Sequence, residues 1–136
     1  MGSGPRHRPT LLVVDDDPQV RGLTARVLTG DGYAVLEAVN ALHALVLLED
    51  PNTPPISLIV TDIVMPGMSG DALGRLLHTS RPTLPVLYMS GQLRPEFEFL
   101  SRDELEHCWL SKPFSVADLR RNVRELVLGR AATPGR

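Results

Sequence analysis

Thr10-Leu11-Leu12-Val13-Val14-Asp15-Asp16-Asp17-Pro18 is the stretch that decides the fold. It opens with a continuous run of apolar and β-branched residues, the pattern of a strand covered on both faces. The run stops at three carboxylates. Asp17-Pro18 then reads as a helix N-cap followed by proline at the first helical position. A buried strand that ends in acid and turns directly into a helix is the opening of a β-α unit.

The same pattern returns along the chain. Strand candidates at 10–15, 33–37, 57–62, 84–90 and 107–111 alternate with helix candidates at 18–29, 40–50, 69–79 and 115–128. Each helix candidate carries an apolar face: Val20, Leu23, Val27 and Leu28 in the first, Ala41, Ala44, Leu45 and Leu48 in the second. Leu73, Leu76 and Leu77 form the third face, and Val116, Leu119, Val123, Leu126 and Val127 the fourth. Gly30 and Gly129 mark expected helix ends. The stretch 93–104 has no clear period, because Pro95 can only open a helix and Phe97 and Phe99 do not share a helical face. β-α units in series build one parallel sheet with helices on both faces, joined by right-handed crossovers. The expected fold is a small doubly wound α/β domain over 10–129, with a flexible leader at 1–9 and a flexible tail at 130–136.

Composition narrows the class. At 136 residues, 43% hydrophobic and a net charge of −2, the chain has enough apolar mass for one core. The charge balance argues against a basic nucleic-acid binder or an acidic disordered tail. No apolar stretch approaches the roughly 20 residues that span a bilayer, and no signal peptide is evident. A single cysteine, Cys108, forms no internal disulfide and suits a reducing cytoplasm.

Doubly wound sheets place ligands at the carboxyl ends of their strands, beside the topological switch point. Four polar clusters stand at those ends: Asp15-Asp16-Asp17, Asp62, Ser90-Gly91, and Lys112, the only lysine among fourteen basic side chains. Asp15 and Asp16 are costly to hold together as bare like charges after a buried strand. A divalent cation resolves that cost, and oxygen-only ligands without His or Cys favour Mg²⁺. Asp17 reads instead as the helix cap. Asp62 is followed by Pro66-Gly67, a tight turn, and Ser69, a helix cap. With a second acidic centre and a lysine beside it, Asp62 reads as a nucleophile. A carboxylate attacks phosphorus to form an acyl phosphate when charge on the equatorial oxygens is neutralised. Mg²⁺, the Lys112 ammonium and the Ser90 hydroxyl would share that task.

Val13-Val14-Asp15-Asp16-Asp17-Pro18, Thr61 to Gly70, Met89-Ser90-Gly91 and Leu110-Ser111-Lys112-Pro113-Phe114 together resemble the receiver domain of two-component response regulators, from about Thr10 to Leu128. The resemblance implies a flavodoxin-like strand order 2-1-3-4-5. It also implies that Asp62 accepts a phosphoryl group from the phosphohistidine of a histidine kinase or a histidine phosphotransfer protein. Asp16, Asp62 and the main-chain carbonyl of Val64 would ligate Mg²⁺, with Asp15 acting mainly through a water. Ser90 and Lys112 would hold phosphoryl oxygens, and the Lys112-Pro113 peptide would be cis. The domain would dephosphorylate itself slowly and act on no small molecule, nucleic acid or membrane. Residues 86–91 and 109–114 look most like receivers fused to hybrid histidine kinases. One departure stands out. The switch aromatic of the family, usually tyrosine or phenylalanine, is here Trp109, a bulkier ring expected to turn less freely beside Ser90.

Two other readings compete. A haloacid-dehalogenase-like phosphatase would use Asp15 as nucleophile in an Asp-x-Asp motif, but no acidic pair follows Lys112 and Asp62 is left without a task. A non-phosphorylated docking module would not need the full set of phosphorylation residues. His7, His43, His78 and His107 have no metal-site spacing, Cys108 reads as a core residue within a strand, and Met65 and Met68 read as packing. Glu96, Glu98, Asp103, Glu104 and Glu106 read as a solvated face.

Overall fold

The computed structural model describes residues 8–91 and 108–132. Five parallel strands, β1 Thr10–Val14, β2 Ala34–Ala38, β3 Ile56–Asp62, β4 Val86–Ser90 and β5 Trp109–Ser111, form one sheet in the order β2-β1-β3-β4-β5. The helices among the described residues are α1 Pro18–Gly30, α2 Ala41–Glu49, α3 Gly70–Ser80 and α4 Val116–Ala132. The expected doubly wound fold and strand order are therefore those observed.

β1 is buried at every residue, and its side chains alternate between two cores. Leu11 and Val13 join Leu58, Val60, Leu87, Met89 and Leu110 under α1 and α4, where Leu28, Leu119 and Val123 complete the layer. Leu12 and Val14 join Ile59 under α2 and α3, against Ala41, Ala44, Leu73 and Leu77. The continuous apolar run is thus two period-2 faces, each covered. Fully burying such a side chain contributes about 1.5–3 kcal/mol, so the sheet's centre anchors the domain.

Local signals start the helices. The Asp17 carboxylate accepts from the amides of Gln19 and Val20, Asn40 caps α2 through the His43 amide, and Ser69 caps α3 through the Ala72 amide. The helix faces depart from expectation in part. Leu23, Leu76 and Val116 are exposed, while Thr24 and Ala25 are buried instead in α1. A helical stripe wider than its contact leaves its edge residues in water.

Boundaries also move. β5 begins at Trp109, and Cys108 is buried just before it, its carbonyl accepting from the Tyr88 amide at 2.8 Å. Gly129 lies inside α4 and the helix runs to Ala132, because a glycine costs only about 1 kcal/mol in a helix. Pro9, expected in the leader, accepts at its carbonyl from the Ala34 amide at 3.0 Å and so borders the sheet. His7, His107, Phe97, Phe99, the stretch 93–104 and its acidic residues lie outside the described residues.

Two glycines are required by close approach. A Cβ on Gly70 would overlap the Asp62 carbonyl, and one on Gly74 would overlap the Tyr88 hydroxyl. Gly70 donates its amide to the Ile63 carbonyl at 2.8 Å, which closes the 63–70 loop and starts α3 against the end of β3.

Candidate functional site

Parallel pairing in register brings the strand ends to one edge. Val14 pairs with Thr61, Asp62 with Met89, and Ser90 with Ser111. The residues that follow β1, end β3 and β4, and follow β5 therefore meet. Asp15, Asp16 and Asp62 each offer a carboxylate oxygen, and these three atoms lie within 4.8 Å of one another. Asp15 is fully buried, Asp62 nearly so, and Asp16 is exposed. Lys112 reaches in from beyond β5, its Nζ 3.5 Å from Asp15 Oδ2 and 3.4 Å from Asp62 Oδ1. Its amide donates to the Ser90 carbonyl at 2.8 Å, which seats the lysine loop beside the buried Ser90. The Lys112-Pro113 peptide is cis.

Asp15 is held at every polar atom. Its amide donates to the Ala38 carbonyl at 3.2 Å, Oδ1 accepts from the Asp17 amide at 3.0 Å, and Oδ2 faces Lys112. Its carbonyl accepts from Arg21 Nη1 at 2.9 Å. Burial pushes the Asp15 carboxyl above the ordinary aspartate range; the Asp17 amide and Lys112 oppose that push, and the Asp62 charge adds to it. Burial therefore disfavours the charged form of Asp15, and a further cation beside it would favour that form. The donor set is oxygen alone, without His or Cys, and two of its carboxylates lie close to one ammonium. These residues fit a Mg²⁺ ion.

Of the other candidates, Val64 sits in the loop two residues after Asp62 with its side chain exposed. Trp109 is half-buried beside Tyr88, to which it pairs in register, and packs against the small cluster of Ile63, Tyr88 and Cys108. Its carbonyl accepts from Asn122 of α4 at 3.3 Å. Asp17 is turned to its own helix, so an Asp15-x-Asp17 pair does not face the pocket. Asp62, by contrast, stands in it. That arrangement removes the ground for the dehalogenase-like reading. Arg21 and Glu37 were not singled out from the sequence. The available signal was Glu37 itself, a charge inside an otherwise apolar strand.

A doubly wound parallel sheet with three carboxylates and a lysine at its strand ends is the build of a phosphorelay signalling domain. The chain belongs to the response regulator receiver domain family, which it matches over residues 11–124. It is 32% identical over 118 residues to the sensor kinase CckA of Brucella abortus, covering 87% of this chain and 12% of that protein. Among solved structures, the CheY-like receiver domain protein of Methanospirillum hungatei superposes with a TM-score of 0.81 at 25% identity, covering 94% of this chain and all of that one. The receiver domain of the hybrid histidine kinase CckA superposes with a TM-score of 0.70 at 30% identity, covering 87% and 98%. The chain spans 12%, 48% and 45% of the length of the first curated relatives it matches. No helix among the described residues is long and apolar enough to cross a membrane.

Proposed function

We propose that Asp62 is the phosphoacceptor, taking a phosphoryl group from the phosphohistidine of a histidine kinase or phosphotransfer protein in the cytoplasm. The observation that carries this reading is Lys112 Nζ, within 3.5 Å of both the Asp15 and Asp62 carboxylates. A carboxylate oxygen of Asp62 attacks phosphorus, the bond to the histidine nitrogen breaks, and an acyl phosphate forms on Asp62. Lys112, freed from shared duty between two carboxylates, moves its ammonium onto a phosphoryl oxygen. Ser90 donates its hydroxyl to another. Asp15, Asp16, Asp62 and the Val64 carbonyl would hold Mg²⁺, which supplies neutralising charge to the transferring group. Self-phosphorylation from small phosphodonors and self-dephosphorylation are weak activities of the same site.

The readout is a change of shape rather than turnover. When Ser90 and Lys112 are drawn toward the phosphoryl group, Trp109 gains room behind Ser90. A gap of a few kcal/mol between two ring positions is enough for the phosphoryl group to bias them. The test is intact-mass labelling by acetyl phosphate with Mg²⁺, run beside p-nitrophenyl phosphate hydrolysis. One phosphoryl group on the wild type, none on Asp62→Asn and negligible p-nitrophenol are expected. Normal labelling of a folded Asp62→Asn protein would remove Asp62 from its role.

A further inference from the structure

Arg21 takes no part in the chemistry above, yet its guanidinium ends at the acidic pocket. Nη1 donates to the Asp15 carbonyl at 2.9 Å and Nε to Glu37 Oε1 at 3.0 Å. The Arg21 side chain is only 16% exposed and its bond to the Asp15 carbonyl is half-buried, while its bond to Glu37 lies at the surface. The carbonyl it holds belongs to the planar peptide that joins Asp15 to Asp16. Fixing that oxygen fixes the peptide plane, and with it the direction in which the Asp16 carboxylate leaves the chain. On the same residue, Asp15 Oδ1 accepts from the Asp17 amide at 3.0 Å. A guanidinium suits this work because its rigid fork meets two acceptors at once, which a single ammonium does not do with fixed geometry. Glu37 lies on β2, beside Val13 in register, so the clamp ties α1 and β2 to the end of β1.

We propose that Arg21 is a positioning residue for the Mg²⁺ site, acting through the Asp15–Asp16 peptide, with Glu37 aiming its guanidinium. This rests on the reading of Asp15, Asp16 and Asp62 as the Mg²⁺ ligands. Without the clamp, the peptide samples other orientations, and the apparent affinity for Mg²⁺ falls by the fraction of time it spends in the competent one. A plain surface ion pair between Arg21 and Glu37 would change thermal stability and leave that affinity alone.

Mg²⁺ titration of the full chain, followed by ¹⁵N–¹H shifts of the pocket amides, separates the two. The Mg²⁺ midpoint of Arg21→Gln should rise about tenfold, at the low end for groups that orient metal ligands. Arg21→Lys should fall between, and Glu37→Gln should shift it least, because its amide oxygen still accepts from Nε. In EDTA, the Asp17 amide of Arg21→Gln should exchange with solvent faster than in the wild type, since Asp15, whose Oδ1 is its acceptor, has lost the Arg21 contact at its carbonyl. An unchanged midpoint in a folded Arg21→Gln protein, or a lowered melting temperature with no shift in midpoint, overturns the proposal. If Arg21→Gln does not fold, Arg21→Lys carries the same comparison. If the wild type itself ignores Mg²⁺, the metal reading fails, while unaltered Asp17 exchange in the variants separately removes Arg21 from any positioning role.

Discussion

The two halves of the sheet's carboxyl edge are built differently. At the ends of β1 and β3, hydrogen bonds hold Asp15 on every side, and the loop after Asp62 is pinned by the Gly70 amide. At the ends of β4 and β5, the pairing spans only three residue pairs, and a half-buried indole lies beside a small cluster. The first half holds its carboxylates in a fixed frame. The second ends in a short edge strand, β5, and under the proposed function it is the half that responds. Preorganisation favours transition-state charge where groups do not move, and switching needs an element with two accessible arrangements.

The largest effect expected from breaking this contrast is at the seam between the halves. Gly74→Ala places a methyl group where the buried Tyr88 hydroxyl sits, so α3 must move away from β4 or Tyr88 must leave its site. Overpacking of this kind costs about 3 kcal/mol, measured by urea unfolding. If stability is unchanged, α3 and β4 are not tightly joined and the responsive half is larger than β4 and β5.

Next in size is Lys112→Arg. Charge is retained, but a planar fork replaces a compact ammonium that reaches two carboxylates. The rate of acetyl phosphate labelling should fall about tenfold, near 1.4 kcal/mol in barrier. A wild-type rate would mean that the pocket tolerates any cation and is less preorganised than its distances suggest.

Asp15→Asn should do two opposite things. Burial raises the Asp15 carboxyl above its ordinary range, so the folded state holds that proton to higher pH than the unfolded chain does. As pH rises through the window between the unfolded and folded values, stability falls, and it stays lowered at neutral pH. Removing the charge should therefore raise the neutral-pH stability of the metal-free fold, flatten that part of the pH profile, and weaken Mg²⁺ binding. Melting curves at several pH values in EDTA check the sign. A destabilised variant at neutral pH would show that Lys112 and the Asp17 amide outweigh burial.

The smallest expected effect is spectroscopic. Mg²⁺ with beryllofluoride, a phosphoryl mimic, should change Trp109 fluorescence, and Asp62→Asn should abolish the beryllofluoride-dependent step. A flat spectrum with the mimic bound would move the response from the ring to the neighbouring loop and helix.

Much of this contrast was legible in the sequence. Apolar runs broken by acid, hydroxyl and one lysine placed Asp15, Asp16, Asp62, Ser90 and Lys112 at one edge, because parallel β-α units allow little else. Depth was not legible. Leu23, Leu76 and Val116 share faces with buried neighbours yet stay in water, since a period gives direction and not distance from the sheet. The Arg21–Glu37 clamp needs residues sixteen apart to be joined by β1–β2 pairing. The Gly74–Tyr88 contact needs the packing of α3 on β4. Neither leaves a local signature.

The central claim is that the fixed half carries the acceptor at Asp62. Phosphoryl transfer from a phosphorylated histidine kinase, followed by borohydride reduction of the acyl phosphate and peptide sequencing, tests it at the level of the bond. Reduction should leave homoserine at position 62 and aspartate at positions 15, 16 and 17. Homoserine at position 15, or a label that survives as a phosphohydroxyl at Ser90, would contradict the account.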